Sequence, residues 1–158
     1  MKITVIAVGK IKEAFFTDAV CEYKKRLSRF SDIEIVEVKD EKIPENASLK
    51  ETRLILEKEG AAILAKIPKA SFKIAMCIEG RELSSTDLSA QLDKIKSESS
   101  SITFIIGGSL GLSEKVKASA DMRISFGKIT LPHQLMRVVL LEQIYRAFKI
   151  SAGENYHK

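Results

Sequence analysis

The stretch Ile102–Gly111 reads ITFIIGGSLG, and its reading decides the fold. Five apolar or β-branched residues stop at two glycines, a serine and, two positions on, a third glycine. A short apolar run bounded by turn residues is a buried strand entering a loop. The predicted strand is 102–106, and a short helix is predicted from about 113 to 120. The same unit recurs on both sides. Residues 2–8 (KITVIAV) read as a strand, followed by a helix whose stripe is Phe16, Ala19, Val20, Tyr23, Leu27 and Phe30. Residues 33–38 (IEIVEV) are a second strand. A polar loop around Pro44 then offers Asn46 or Ser48 as a helix cap. That helix runs to about Ile67, with Leu49, Leu56, Ile63 and Leu64 along one side, and Pro68 stops it. Strand three is 72–78 (FKIAMCI), after which Gly80 turns the chain into a helix from about 86 to 98. A fifth strand spans Met122 to Phe126, and the last helix runs from about Pro132 to Ile150. This alternation implies an α/β fold in one domain, residues 1–158. Its sheet is mostly parallel, with helices on both faces.

Ligands of such sheets bind beyond the carboxyl ends of the strands. Glycine-bearing segments follow strand ends at Val8-Gly9, Ile78-Glu79-Gly80, Ile106-Gly107-Gly108 and Phe126-Gly127. Residues 107–111 suit a loop whose backbone N–H groups approach a cofactor closely. They also fit GxSxG, with Ser109 as nucleophile and Asp121 and His133 or His157 following in the order of a hydrolase triad. The short chain and the lack of an HGGG-type segment count against that chemistry. No GxGxxG follows the first strand, and Gly9-Lys10 lacks the rest of a P-loop.

The chain has 158 residues, 45% hydrophobic and 30% charged, as a folded soluble domain requires. No apolar run approaches the ~20 residues of a membrane span, so no membrane association is expected. The opening MKITVIAVGKIKEAFF lacks a small-residue cleavage site, and charge returns at Lys10 and Lys12. Cys21 and Cys77 stand far apart without a CxxC or Cys/His pattern. They read as core thiols in a reducing compartment, the cytoplasm, and no metal site is expected. The net charge of +5 is uneven: residues 1–30 carry seven Lys/Arg against three Asp/Glu, and residues 121–158 carry six against three. Two basic ends that meet on one face suit a polyanion. Lys24, Lys25, Arg26 and Arg29 form the densest cluster, either a solvated face or a footprint for RNA. The last helix is apolar nearly all round, so it should be covered on every side. In so small a chain the second cover points to another subunit, a homodimer.

The last third is the densest signal: FIIGGSLGLS, ISFGKITLPHQLMRVVLLEQIYRAFKI and the terminal NYHK. Together with the opening KITVIAVGKIKE and the PEN and EG segments, it resembles the ribosomal large-subunit pseudouridine N3-methyltransferase family of the SPOUT class, along the whole chain. The resemblance implies a deep C-terminal trefoil knot, S-adenosylmethionine as cofactor, and a site formed at the dimer interface. Its cofactor residues would be Met76, Gly107, Phe126, Gly127, Lys128, Ile129, Thr130 and Leu131. The substrate would be a pseudouridine of 23S rRNA within the assembled 70S ribosome. A same-fold enzyme acting on tRNA, or a non-catalytic ribosome-associated RNA-binding protein, are the competing readings.

An imide N–H must lose its proton before it accepts a methyl group, which calls for a general base. His157 suits that role at cellular pH, and Tyr156 suits stacking on the base; a frayed polar tail is the plain alternative. Arg137, Arg146 and Lys158 join the cluster on the first helix as expected RNA contacts. Glu142 and Arg146, four apart, equally suit an intrahelical ion pair. His133 reads as a capping or interface residue, or as one that orients the cofactor loop or contacts RNA.

Overall fold

Residues Lys2–Val8 (β1) form an interior strand of the sheet. Their side chains alternate between two apolar clusters, Ile3, Val5 and Ala7 in one and Ile6 and Val8 in the other. A strand buried on both faces needs such a continuous apolar run. The structure is a computed structural model, and it describes residues 1–156. After β1 come α1 (Ala14–Leu27), β2 (Asp32–Val38), α2 (Leu49–Leu64), β3 (Phe72–Glu82) and α3 (Ser85–Glu98). Then follow β4 (Ser101–Ile106), α4 (Glu114–Ser119), β5 (Met122–Ser125) and α5 (His133–Ser151). The strands lie in the order β2-β1-β4-β3-β5, and every pairing is parallel. Helices α1, α5 and α3 cover one face, with α5 between the other two, while α2 and α4 cover the opposite face. The α/β reading therefore stands.

Local signals explain most boundaries. Ser48 caps α2 in a reciprocal box with Glu51, and Ser84 caps α3 in the same way with Asp87. Three readings need correction. First, α2 turns Ile55, Glu59, Gly60 and Ile63 inward, while Leu49 is 91% exposed. Gly60 allows α2 to press against Ser113, the cap of α4, where a Cβ would collide with the Ser113 hydroxyl. Second, Gly80 does not end β3. The ladder breaks between Met76 and Arg81, both of which pair with Ile124 of β5, and residues 77–80 bulge out between them. Third, Cys21 is exposed and Cys77 only half-buried, so neither is a core thiol.

α5 behaves as its composition demands. From His133 to Ile150 none of its residues is exposed. Leu140, Leu141, Ile144, Ala147 and Phe148 are buried between α1, α3 and the sheet. On α2, Ile63→Ala should cost about 2–5 kcal/mol of stability as a core truncation, and Leu49→Ala should stay within about 0.5 kcal/mol. Urea unfolding of the two variants checks the inward face; equal losses would restore the leucine stripe.

Candidate active site

Beyond the carboxyl ends of β3, β4 and β5 lies a cavity of about 710 Å3. Three chain segments build it. The 77–80 excursion of β3 forms one wall, the 107–111 loop after β4 a second, and the 126–132 segment after β5 a third. His133 and Met136 of α5 close it. Gly111 and Gly127 hold φ of +83° and +101°, and a Cβ on either would meet nothing within 4 Å. Positive φ is what glycine supplies, and here it leaves two bare stretches of backbone beside open space. Of the residues expected to hold a cofactor, Met76, Gly107, Phe126, Gly127, Ile129, Thr130 and Leu131 all line this cavity, while Lys128 stands exposed outside its lining.

Sequence reasoning singled out Ile78-Glu79-Gly80 as a segment on the ligand side of the sheet, but it did not foresee Lys117. Cys77, Ile78 and Glu79 line the cavity because β3 resumes after its excursion. Lys117 of α4 reaches the same wall, ion-paired with Glu79 and, at 3.1 Å, with Glu114. The pairing lowers the Glu79 carboxyl pKa and raises that of the Lys117 ammonium. Burial, aided by Glu79, pushes the Cys77 thiol up. Two lysines on a six-residue helix, Lys115 and Lys117, carry no pattern that would have announced which one reaches the cavity.

The α5 end of the cavity is held by Arg137. Its side chain is fully buried. Nη1 donates to Glu37 Oε1 at 2.8 Å, and Nη2 donates to the carbonyls of Val8 at 3.1 Å and Gly9 at 2.5 Å. This corrects the expectation of an RNA contact, because the guanidinium fork is spent on the end of β1. Gln134 accepts from Lys12 N–H at 2.8 Å, and Glu37 accepts from Ile11 N–H at 3.0 Å, so the loop after β1 is fastened as well. One turn before Arg137, the His133 ring lies over Gly9, where an added Cβ would stand 2.9 Å from Nε2. His133 provides no cap to α5. Burial first, and Arg137 second, lower its pKa, so the imidazole is neutral at physiological pH.

The hydrolase arrangement does not assemble. Asp121 accepts from Lys73 N–H at 2.7 Å at the amino end of β3, the opposite edge of the sheet from Ser109 and His133. Among the described residues no group of three His, Cys, Asp or Glu side chains could hold a metal ion, and no helix is long and apolar enough to cross a membrane.

The model of the family described as predicted SPOUT methyltransferase matches residues 1–157. The chain belongs to the SPOUT methyltransferase family. It is 54% identical to ribosomal RNA large subunit methyltransferase H of Streptococcus agalactiae serotype III (strain NEM316), 100% of each chain being covered. It is 53% identical to the protein of that name in Listeria monocytogenes serovar 1/2a (strain ATCC BAA-679 / EGD-e), again over 100% of both. Among solved structures it resembles a probable methylase family protein from Haemophilus influenzae Rd KW20, with a TM-score of 0.57 and 11% identity. That likeness covers 99% of this chain and 70% of the other, and it concerns the fold.

In this SPOUT chain Arg137 lies apart from the other expected RNA contacts, and Arg26 and Arg146 meet around the rings of Tyr145 and Tyr156. Lys24 and Lys25 are exposed on α1, Arg26 pairs with Glu22 at 2.7 Å, and Arg29 pairs with Glu154. Arg146 pairs with Glu142 at 2.6 Å, as the i,i+4 reading allows, and its guanidinium stands 4.6 Å from the Tyr156 ring centroid. Tyr156 donates to Glu142 Oε2 at 2.9 Å and packs edge-on against Tyr145. Burial first and Glu142 second raise its pKa. It lies on the flank of α5, outside the lining of its own protomer's cavity. His157 and Lys158 lie outside the described residues.

The depressed pKa of His133 has a sign that can be checked. The folded chain resists protonating this ring, so its contribution to stability is whole above about pH 6.5. It is lost as pH falls from there through the folded value. Imidazole NMR should place the His133 midpoint below about 6.5, and His133→Gln should flatten the stability difference between pH 7.5 and pH 5.5. A midpoint at or above the ordinary value would show that burial does not govern this ring.

Proposed function

We propose that this chain is an S-adenosylmethionine-dependent methyltransferase that places a methyl group on N3 of a pseudouridine in 23S rRNA of assembled 70S ribosomes, acting as a homodimer in the cytoplasm. The observation that carries the reading is the three-loop cavity, which gathers seven of the eight expected cofactor residues within a chain of the SPOUT family. The relatives' name, ribosomal RNA large subunit methyltransferase, supports rRNA over tRNA as acceptor.

The residues fit a nucleoside-bearing methyl donor. Met76, Ile106, Phe126, Leu131 and Met136 offer apolar walls for a purine, while Gly111 and Gly127 leave bare backbone for its polar edge. The donor would supply a methyl group already activated on a sulfonium, so the chain's own work is positioning and proton removal. The loops after β3, β4 and β5 would fix the donor's orientation, which is the main lever for an in-line displacement. His157 would take the imide proton and Tyr156 would hold the base. The knotted topology expected of the family accords with the path of the chain after β5. It returns from the sheet edge across β3 and β4, and α5 fastens to the end of β1.

The dimer reading rests on α5. Leu135, Val139, Glu142 and Arg146 form its outward stripe, half-buried within one protomer and spaced for one helix face. Tyr156 lies on that stripe and not in its own cavity. A second copy on this face would bring one protomer's tail to the other's cavity.

Transfer of labelled methyl from S-adenosylmethionine should occur with unmethylated 70S ribosomes and map to one pseudouridine. It should fail with bulk tRNA and with ribosomes lacking the pseudouridine. Removing residues 156–158 should abolish transfer and spare cofactor binding; unchanged turnover would take the tail out of the mechanism, and label on tRNA would move the substrate.

Lys24, Lys25, Arg26 and Arg29 would dock phosphate. Each phosphate contact adds about 0.7–0.9 to the slope of log affinity against log salt. Neutralising all four should therefore flatten the salt dependence of ribosome binding, and an unchanged slope would remove α1 from the footprint.

A further inference from the structure

The basic cluster of α1 and the cavity lie at opposite edges of the sheet. β1 and β2 run parallel, so α1 carries the chain back from the carboxyl edge to the amino edge. Its last turn holds Lys24, Lys25 and Arg26. Arg29 follows just before β2, whose Asp32 N–H donates to the Met1 carbonyl at 3.2 Å. The cavity opens beyond the carboxyl ends. A seven-residue strand separates the two edges, roughly 20 Å at about 3.3 Å per residue. A nucleotide held at the cavity needs its backbone gripped nearby, and the α1 cations of the same protomer do not reach it.

Three other cations stand at the carboxyl edge. Lys10 and Lys12 lie on the loop after β1, and Lys128 on the segment after β5. All three are exposed, and none makes an ion pair or side-chain hydrogen bond with any described residue. Residues 1–12 and 122–141 contain no Asp or Glu, and Glu13 is the one acidic residue beside Lys12 in sequence. The structure joins these two stretches beside the cavity. Gln134 accepts from Lys12 N–H, Arg137 donates to the carbonyls of Val8 and Gly9, and the His133 ring lies over Gly9. The Lys12 charge is felt there: after burial and Arg137, it helps to lower the His133 pKa.

Other charges at this edge are matched. Glu37 is taken by Arg137 and by Ile11 N–H, and Glu79 by Lys117. Lys39 and Lys42 bracket Asp40 and Glu41, and residues 107–113 carry no charge. Lys10, Lys12 and Lys128 are therefore a cationic rim beside the cavity and outside its lining. Ammonium groups of this kind suit phosphate, which takes lysine as a point charge without a fixed geometry. They have no carboxylate to give up first, unlike Arg26 and Arg29, which pair with Glu22 and Glu154.

We propose that Lys10, Lys12 and Lys128 grip the phosphates flanking the target nucleotide, a docking rim on the same edge as the cavity. The assignment rests on the rRNA reading above and deepens it. It gives the Lys128 side chain a role toward RNA in place of the expected cofactor contact. It also makes the α1 cluster of the same protomer an outlying part of the footprint.

Binding of the full chain to unmethylated 70S ribosomes, followed across a range of potassium chloride, tests this. Lys10→Gln, Lys12→Gln and Lys128→Gln together remove three phosphate contacts of about 0.7–0.9 each, so the slope of log affinity against log salt should flatten by about 2. The same three positions changed to arginine keep the charge and should keep the slope. Calorimetry should show S-adenosylhomocysteine binding the glutamine triple as tightly as wild type. An unchanged slope in that triple overturns the rim. So does a triple that weakens donor and ribosome alike, since these lysines would then act through the cavity. A slope lost equally in the arginine triple overturns it too, because charge would not be the cause. A wild-type chain that fails to bind 70S ribosomes overturns the rRNA reading itself, and the rim with it.

Discussion

The structure depends on one buried cation. Arg137 sits in the second turn of an apolar helix with none of its surface exposed, and it is held by one carboxylate and two carbonyls at the end of β1. Burying a guanidinium is expensive, and a buried ion pair rarely adds much net stability over an apolar pair. Its effect is positional. After β5 at the sheet edge the chain must return to β1, and a purely apolar α5 could slide along that path with little change in energy. A fork that matches two particular carbonyls and Glu37 cannot slide. His133 lies four residues before Arg137 on the same face, so the anchor that fixes α5 also fixes the imidazole over Gly9. Met136, on the cavity wall, is placed with it.

The electrostatics around the cavity follow from that placement. The lysine on its wall, Lys117, is matched by Glu79 and Glu114. His133 is kept neutral by burial and by Arg137 itself. Behind the glycine loop a smaller cavity of about 230 Å3 is lined by Glu59, Asp40, Glu41 and Lys42. A cavity wall whose lysine is matched by two carboxylates suits a ligand of positive charge, and a sulfonium methyl donor carries one. Uncompensated lysines on the same walls would have worked against it at short range, where a low-dielectric surround magnifies each charge.

How much of this was legible in the sequence varied with the kind of signal. The five strands could be read because a parallel sheet covered on both faces needs unbroken apolar runs, and ITFII and KITVIAV have no other plausible home. The loops after β4 and β5 were legible for the same reason, since their glycines interrupt those runs. The inner face of α2 was not. Its leucines suggested one stripe, but the helix turns a glutamate and a glycine inward, and neither scores as core. The β3 excursion was hidden because Gly80 followed by polar residues looks like any turn. Arg137 was misread for a chemical reason: the guanidinium fork that would grip a phosphate grips two carbonyls equally well, and sequence does not say which it will meet.

The basic face of α1 shows how the remaining charges are tied together. Arg29 and Lys149 share Glu154, two residues before Tyr156. Tyr156 in turn shares Glu142 with Arg146. The cations suited to phosphate and the segment leading to the terminal residues are thus one network of carboxylates and rings. Ion pairs at solvent-exposed positions hold weakly and yield to competing anions as salt does. A polyanion arriving at Arg29 would compete with Glu154 for the same guanidinium, and any release of that carboxylate would be felt two residues away. A single α/β unit of this size has few surfaces to spare. Here the same few side chains would have to serve both as the docking face and as the hold on the tail.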